Sequence, residues 1–526
     1  MSLRKKDKQF RLKKISYLDF KQIEMDRVLT SFFARLQHDG YPSRLTRQKQ
    51  LKIEAFREEF TGHPQWFRGF GRYPEITEAW IETHLMDVVN RGKPNQAVAA
   101  PRPLHGYTYR FRNTRHSRDY GAAQQLYEML YHSSHSALVL EQLELFFFAG
   151  IDPATETYDN DVLVDVETQA LLRLTDQVQS DAPDRGKRDV YKPLLSDACD
   201  LLAKDTIRLL AYREHIPRSV MVEYLKILFA LHLSLYHLRL IRWLPKQTGE
   251  ATPGASEIGI FADMTGGNGD EVVAMAERSA DIHYRRLPEF IRAYFIVRKL
   301  DEFASNLSKR GTLGSSQNGS YYTVSELTDL LGPEYRKDRD RFFGMRLDSL
   351  IEASSSDGTR DPEIEQILEL DLNDFESYIE CIVAHRGSFH KRYLTECLDS
   401  LLLKNKDGAL LSQPKARNSN RRFVVESRLL EVLLQLAVLE QGASGLRTQE
   451  LRVDELLEWI RDRYGIHVDE LPDQDGFGDP SVTERKALQK NEQAFRRRLR
   501  EIGFFRDLSD AYITQTVSPR YEITRS

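Results

Sequence analysis

One stretch of the chain is apolar enough to constrain the fold by itself. Residues 219–245, SVMVEYLKILFALHLSLYHLRLIRWLP, carry four charged residues between Glu223 and Arg242. Only residues 227–238 lack acidic or basic side chains other than histidine, whereas a membrane span needs about 20 apolar residues. An apolar helix that does not cross a membrane has to be buried on nearly all sides. The stretch therefore predicts the central helix of a domain made of several packed helices.

The composition agrees with a globular protein of several domains. The chain has 526 residues, of which 41% are hydrophobic and 10% aromatic, enough to build packed cores. The 75 Lys and Arg nearly balance the 79 Asp and Glu, so any nucleic-acid binding has to come from a local basic patch. The three cysteines, Cys199, Cys381 and Cys397, are too few for a disulfide framework and indicate a reducing, cytoplasmic environment. The basic N-terminus lacks the apolar segment of a secretory signal.

Helical periodicity dominates the first part of the chain. Apolar residues repeat at helical spacing from Leu18 to Leu36 and stop at Asp39-Gly40, and residues 194–244 predict two long helices. We predict a mainly α protein, with an N-terminal multi-helix body followed by winged-helix-like α+β units. Changes in composition divide the chain into an N-terminal helical segment with an Arg-rich loop (1–117), a helical core domain (118–315), a helical or winged-helix-like unit (320–412) and a C-terminal winged-helix domain (413–526).

The helix predicted at residues 483–502 has two distinct sides. Apolar side chains recur at helical spacing on one side, which we expect to face a core: Leu488, Phe495, Leu499 and Ile502. Polar and basic side chains form a continuous stripe on another side: Lys486, Lys490, Gln493, Arg497 and Arg500. Residues 485–500 contain seven Lys or Arg and a single acid, Glu492. The helix therefore predicts a cationic surface with a buried back.

Such a stripe suits duplex DNA, because arginine reaches phosphate oxygens or guanine edges with two parallel hydrogen bonds. The residues predicted to contact DNA on this helix are Lys486, Lys490, Gln493, Arg496, Arg497 and Arg500. A second basic group lies in a predicted hairpin loop and its second strand: Lys415, Arg417, Arg421 and Arg422. The alternative interpretation is a solvated charged face on an assembly scaffold that has no affinity for nucleic acid.

The order of elements favours winged helices. Alternating residues before and after Ser518-Pro519 predict a hairpin directly after the basic helix, and helices at 424–441 and 453–464 complete a three-helix core. The hairpin around residues 415–420 likewise follows a helix at 389–404. One feature is unusual, because a helix-turn-helix has a turn of three or four residues. Here the long segment GIHVDELPDQDGFGDPS separates the second and third helices, and its acids could screen the stripe.

The segment FADMTGGNGDE is a weaker candidate for chemistry. Residues 257–264 predict a short strand, a loop follows, and a helix begins near Asp270. Glycines before a helix let the backbone approach a phosphate. However, the segment matches neither GxxxxGK(S/T) nor GxGxxG, and its helix begins with acids that repel anions. A tight turn with an acidic cap is the favoured interpretation. The alternative is a nucleotide-binding enzyme that uses the 263–270 loop, with Asp263 as a nucleotide or metal ligand.

Other polar groups predict no cofactor. Cys381, His385, His390 and Cys397 are of types that bind zinc, but they lack the short paired spacing of zinc sites. His232 and His237 have no carboxylate pattern around them and are expected to be core or surface histidines. The run YTYRFRNTRHSR predicts a strand whose arginines pair with acidic neighbours, with single-stranded nucleic acid as the alternative. We predict no catalytic residue, no metal and no enzymatic activity.

Three segments resemble a family of defence proteins. They are HLSLYHLRLIRWLP, GIFADMTGG, and IGFFRDLSDAYITQTVSPRYEI with the upstream LLEWIRDRYGI. Together they resemble a component of multi-gene bacterial anti-phage cassettes of the methylation-associated or phosphorothioation-dependent type. The resemblance implies a cytoplasmic bacterial protein that acts beside other subunits of its cassette, namely ATPases, methyltransferases or nucleases encoded nearby. The basic stripe, and not the resemblance, predicts double-stranded DNA as a further partner, and the interrupted apolar stretch predicts no membrane. No active-site residue carries over.

Overall fold

The protein is mostly helical, with small sheets between the helices, as the sequence predicts. A computed structural model describes residues 7–45, 53–65, 68–89, 97–151, 165–175, 181–249, 257–317, 319–354, 361–416, 419–442, 445–473, 476–506 and 516–523. The helices of the N-terminal half are α1 (Met25–Gln37), α2 (Ile53–Gly62), α3 (Pro74–Trp80), α4 (Ala122–Tyr131), α5 (Ser136–Phe147), α6 (Val166–Thr175), α7 (Ser196–Leu210) and α8 (Arg218–Thr248). Those that follow are α9 (Asp270–Arg285), α10 (Leu287–Lys309), α11 (Val324–Asp329), α12 (Arg336–Ser354), α13 (Pro362–Leu368), α14 (Asp374–Leu401), α15 (Ser427–Ala437), α16 (Val453–Tyr464) and α17 (Val482–Glu501).

The strands are short and lie mostly in pairs. In chain order they are β1 (Met86–Val89), β2 (Ala97–Pro101), β3 (Ile260–Phe261), β4 (Leu411–Ser412), β5 (Arg422–Phe423), β6 (Leu439–Gly442), β7 (Gly445–Thr448), β8 (Leu451–Arg452), β9 (Ile466–His467), β10 (Phe505–Arg506) and β11 (Thr516–Val517). Antiparallel pairs form between β1 and β2, β4 and β5, and β6 and β7. β3 runs parallel to β9, and β10, β11 and β8 form a three-stranded antiparallel sheet in that order.

Helix α8 is the predicted central helix. It is 31 residues long and has the hydropathy of a membrane span, but 83% of its most apolar window is buried inside the protein. It packs against α10, α7, α15 and α14. His237 is buried on α8, and burial lowers its pKa to about 4. The ring is therefore neutral at pH 7, and it contacts the Ser16 hydroxyl and the Leu233 carbonyl at 3.0 and 2.7 Å.

His232 is also a core histidine, but it has an acidic partner that the local pattern did not indicate. Its Nε2 atom lies 3.0 Å from Oδ2 of Asp205 on α7. The same carboxylate accepts hydrogen bonds from Tyr464 Oη at 2.8 Å and Arg463 Nε at 3.0 Å, both on α16. Asp205 is fully buried. This network therefore joins the two central helices to the C-terminal part of the chain.

Several local predictions were wrong. The YTYRFR run is a 3₁₀ helix, Gly106–Phe111, and its tyrosines, Arg110 and Phe111 are all buried, so its alternation does not reflect a sheet with one solvated side. The helix predicted at 389–404 is the second half of a longer helix, α14, which begins at Asp374. Among the described residues up to Ile523, no strand follows the turn at Ser518-Pro519, and β11 pairs with β10 and β8 instead.

One continuous apolar core contains residues from all four predicted divisions, from Phe10 to Ile523. Because this core runs across all the predicted boundaries, it does not test them, and the division of the chain into four domains stays a prediction. A second, smaller apolar cluster lies between α9 and α17 and includes Phe261, Val272, Met275 and Leu488. This cluster supports α17 from behind, which positions the basic helix described next.

Candidate nucleic-acid interface

Helix α17 forms where the sequence predicts it, within one residue at each end. Ser481 is its N-cap, and the Ser481 hydroxyl accepts the Glu484 backbone N–H at 3.2 Å. The Glu484 carboxylate accepts the Ser481 N–H at 2.8 Å, which completes a capping box. Arg498 and Arg500 lie in the last turn, where the helix dipole favours positive charge. The N-terminal capping and C-terminal arginines both stabilise the helix.

The apolar side of α17 is buried as predicted. Leu488, Phe495 and Leu499 are buried, and Ile502 is partly buried against the main core. Asn491 lies among them and is fully buried, although the sequence gives no sign of it. Its side-chain oxygen accepts the Met264 N–H at 2.8 Å, and its amide donates to the carbonyls of Ala262 and Val468 at 2.9 and 2.8 Å. Asn491 thus fixes the helix to the segment that follows β3.

The opposite side of α17 exposes the predicted stripe. Its members are all exposed: Lys486, Lys490, Gln493, Arg497 and Arg500. Lys486 and Arg497 form no ion pair with any described residue. Lys490 Nζ donates to the Asn268 carbonyl at 3.2 Å, and the Arg500 guanidinium lies 5.0 Å from the Phe505 ring centroid. The contact of Lys490 with a neutral carbonyl leaves its positive charge in place.

Arg496 differs from the stripe. It is half-buried, and its Nε donates to the Glu492 carboxylate one turn earlier at 3.1 Å.

The predicted screening by the acidic segment before α17 is absent from the described residues, because none of the acids there pairs with α17. Glu470 in that segment pairs with Arg461 at 3.0 Å instead. The stripe therefore keeps most of its charge.

The Gly-rich loop after β3 lies beside this helix. Asp263 at its start is fully buried, and its carboxylate accepts the N–H and hydroxyl of Thr265 at 2.7 and 2.6 Å and the N–H of Gly267 at 3.0 Å. Arg422 Nε lies 3.2 Å from the same carboxylate. Both oxygens of Asp263 are thus engaged within the protein, and this geometry gives Asp263 a structural role in holding the loop.

The loop brings together basic residues that are distant in sequence. Gly267 has a positive φ of 93°, and a Cβ atom placed there would lie 2.8 Å from Arg422 Nη2. A Cβ atom at Gly269 would lie 3.5 Å from Lys490 Nζ, and one at Gly266 would lie 3.7 Å from Arg498 Nη2. The missing side chain of Gly267 therefore leaves room for Arg422, while Lys490 and Arg498 approach the same loop at ordinary contact distances. We call this group the basic surface: Lys486, Lys490, Arg497, Arg498, Arg500 and Arg422.

The hairpin contributes less free charge than the sequence predicts. Arg421 forms a bidentate salt bridge with Asp399, in which Nε and Nη2 lie 2.8 and 2.9 Å from the two carboxylate oxygens. Arg422 pairs with buried Asp263, as described above. Lys415 is exposed in the hairpin loop, and Arg417 lies outside the described residues. The structure therefore brings Arg422 to the basic surface and ties both Arg421 and Arg422 to internal acids.

The contact of Arg421 predicts an effect on stability. Asp399 is 9% exposed and also accepts the Tyr284 hydroxyl at 2.7 Å. Arg421→Ala should lower the free energy of unfolding by about 2 kcal/mol, because it removes two charged hydrogen bonds from a buried carboxylate. Urea unfolding followed by circular dichroism measures this. Lys415→Ala, in the exposed loop of the same hairpin, should change the free energy of unfolding by less than about 0.5 kcal/mol. Equal effects of the two variants would contradict a structural role of Arg421.

Arg498 is the functional candidate that the sequence pattern missed. It lies beside the stripe and is half-buried, and its Nη1 donates to the Val425 carbonyl at 2.8 Å. Its position within a run of four arginines was visible, but the contact that directs it to the Gly-rich loop depends on the β4–β5 hairpin. No local signal could have distinguished it from Arg496.

The two cysteines and two histidines that the sequence offers as zinc ligands were not expected to form a zinc site. Cys381, His385, His390 and Cys397 all lie on one helix, α14. Cys381 and Cys397 are 16 residues apart, or about 24 Å along a helix axis, so the four cannot hold one ion. Among the described residues, one other group of potential ligands comes within 4.8 Å: Asp361, Glu363 and His385. Asp361 already caps α13 through the Glu363 N–H at 3.1 Å.

Comparison with known proteins gives one match. A family model described as methylation-associated defense system protein MAD7 matches residues 5–521. No curated protein and no solved structure matches the chain. The matched range includes α17, the Gly-rich loop and the β4–β5 hairpin.

Proposed function

Because the chain belongs to the family of methylation-associated defense system protein MAD7, we propose that it is a cytoplasmic, non-enzymatic DNA-binding adaptor of a bacterial defence system. In this proposal the basic surface contacts the phosphates of duplex DNA, and other faces contact further components of the same system. The observation that carries the proposal is the exposed stripe on α17, whose cations Lys486 and Arg497 have no acidic partner among the described residues.

The elements around α17 support this assignment. In chain order the elements are β8, α16, β9, α17, β10 and β11; β9 pairs with β3, and the other strands form one sheet in the order β10–β11–β8. A winged helix has the same succession of strand, two helices and a two-stranded wing, with the second helix available to a DNA groove. We therefore propose a winged-helix unit at the C-terminus. The buried contacts of Asn491, Leu488 and Phe495 hold its basic helix with the stripe facing outward.

The stripe is a better candidate for phosphate contact than the Gly-rich loop. Asp270 and Glu271 at the start of α9 are exposed next to that loop, and their charges would repel a phosphate bound there. The stripe contains no acid, and its exposed members recur over about four turns of helix. Contacts of this kind give affinity without sequence preference and make binding strongly dependent on salt.

The test is a gel-shift or anisotropy titration with a duplex of random sequence at two salt concentrations. Lys490→Glu plus Arg497→Glu should weaken binding about tenfold or more at low salt, because two cations become acids. The slope of log affinity against log salt should fall by roughly two. Lys486→Glu plus Arg497→Glu avoids the Lys490–Asn268 contact and should have a similar effect.

A matched control is Lys337→Glu plus Arg341→Glu, which reverses two exposed charges one turn apart on α12. This variant should bind DNA like the wild-type protein. Unchanged binding by both stripe variants would overturn the proposal. Absence of any duplex binding by the wild-type protein at low salt would also overturn it, and would favour an assembly scaffold that uses the same face for an acidic subunit.

A further inference from the structure

A large cleft lies between the central helices and the C-terminal part of the chain, away from the stripe. Its volume is about 980 Å³. Its walls come from α7, α8, the segment before β3, α16 and the residues after β9. This volume is at the upper end of the range for ligand sites, so the cleft has room for several side chains. The Asp205 network forms part of its floor, through His232, Arg463 and Tyr464.

The basic groups of the cleft are already neutralised. Three arginines line it, and each has an acidic partner: Arg239 with Asp197, Arg461 with Glu470, and Arg463 with Asp205. His467 also lines the cleft, and burial together with the nearby charge of Arg461 lowers its pKa to about 4. Its ring is therefore uncharged at pH 7. An anion entering the cleft would find no positive charge without a partner among these described residues.

Carboxylates are in excess at the rim. Glu257, Glu458 and Asp473 are exposed, line the cleft, and form no ion pair with a described residue. Glu455 also lines it, and its carboxylate accepts the Arg452 N–H at 2.9 Å as part of the α16 cap. That hydrogen bond leaves the negative charge in place. Several acids without cationic partners around one concave site create a negative potential that attracts cations.

Trp459 adds an aromatic wall. It is half-buried in the cleft, and its ring meets Tyr464 edge to face at 5.6 Å between centroids. The guanidinium of Arg463 lies 5.3 Å from the Trp459 ring centroid, so the indole already packs against one cation. Arginine and lysine pack their side chains along aromatic surface while their charged ends meet carboxylates. The cleft thus has both features that bind basic side chains.

We propose that this cleft binds a Lys- and Arg-rich segment of another protein of the same defence system. The occupant follows from charge complementarity, because the cleft has unpaired carboxylates, an aromatic wall and no unpaired cation among the described residues. The size of the cleft fits a short peptide segment better than a single side chain. The proposal rests on membership of a multi-component defence system and is independent of the DNA contact proposed for α17.

The test uses the full chain and a fluorescently labelled peptide of alternating Lys and Arg, titrated by anisotropy at low salt. The wild-type protein should bind this peptide and not the corresponding Glu peptide. Glu257→Gln plus Glu458→Gln should weaken binding about tenfold, because each exposed charge pair contributes up to about 1 kcal/mol. Trp459→Leu should weaken peptide binding by a similar factor. If Trp459→Leu does not fold, Glu458→Gln alone replaces it as the second variant of the cleft.

Two controls separate the cleft from general attraction to acids. Glu365→Gln plus Glu369→Gln removes two exposed charges one turn apart near α13 and should leave the affinity unchanged. Lys486→Gln plus Arg497→Gln, which should weaken DNA binding, should also leave peptide binding unchanged. Equal affinity of the wild-type protein and the Glu257/Glu458 variant would overturn the proposal. ATP that displaces the peptide and no longer binds after Trp459→Leu would also overturn it, in favour of a small anionic ligand.

Discussion

Replacing Asp205 with alanine will lower the free energy of unfolding by about 3–5 kcal/mol. The Asp205 carboxylate is fully buried and holds three partners from two other helices: His232, Arg463 and Tyr464. Removing it leaves a guanidinium, a hydroxyl and an imidazole without their acceptor in the interior, and each unsatisfied group costs about 1–3 kcal/mol. Urea unfolding at pH 7, followed by circular dichroism, measures the loss.

The matched control is Asp462→Ala, because Asp462 lies on α16 with its side chain 68% exposed. That variant should lose less than about 0.5 kcal/mol. Asp205→Asn should fall between the two, since it keeps an acceptor and loses the charge. A loss below about 1 kcal/mol for Asp205→Ala would show that the network does not join the helices in the way the contacts indicate.

The same network predicts a dependence on pH. Burial would raise the pKa of Asp205, but the hydrogen bond from His232 and the charge of Arg463 outweigh it and hold that pKa below its usual value of 3.8. A carboxylate with a depressed pKa stabilises the fold fully above the pKa of the unfolded chain and loses that contribution as pH falls through the folded pKa. The difference between wild type and Asp205→Ala should therefore be constant near pH 7 and shrink below about pH 4.

Replacing Asn491 with leucine will lower the free energy of unfolding by about 3 kcal/mol or more. Leucine has a similar volume, but it leaves the Met264 N–H and the carbonyls of Ala262 and Val468 buried without partners. The loss should detach α17 from the segment after β3, so protection of the amides in α17 from hydrogen exchange should fall more than that of α8.

Gln493→Leu is the control on the same helix, because Gln493 is exposed only two residues away. It should change the free energy of unfolding by less than about 0.5 kcal/mol. Asn491→Asp keeps the acceptor for Met264, but it places a buried carboxylate against the carbonyl oxygens of Ala262 and Val468, so its loss should be at least as large as that of the leucine variant. Equal stability of Asn491→Leu and Gln493→Leu would contradict the role given to Asn491.

Much of the fold followed from local patterns. The apolar stretch 219–245 predicted the central helix α8, and the spacing of Leu488, Phe495 and Leu499 predicted the buried side of α17. Three short segments resembled components of defence cassettes of the methylation-associated or phosphorothioation-dependent type, and the family match confirms the methylation-associated type. These predictions succeeded because helix periodicity and short motifs depend on neighbours within a few turns of the chain.

Local patterns missed contacts between residues that are remote in sequence. The alternation of YTYRFR suggested a strand, which was wrong, because its aromatic and arginine side chains are buried on all sides of a 3₁₀ helix. The DNA contact of Arg421 and Arg422 stays a prediction, but the structure gives each an internal acid, Asp399 or Asp263, that the sequence did not indicate. Their charges look free in the sequence because the acids lie 22 and 159 positions away.

The sequence by itself determined the mainly helical fold, the central helix α8 and the side of α17 that faces inward, because these follow from the order of apolar and polar residues along the chain. Only the tertiary structure decided which charges remain available. It placed Asp205 between His232 and Arg463, which are separated by 231 residues, and brought the Gly-rich loop to Lys490 and Arg498. Burial and charge pairing are set by packing between distant segments, so the basic surface and the acidic cleft appear only when the chain is folded.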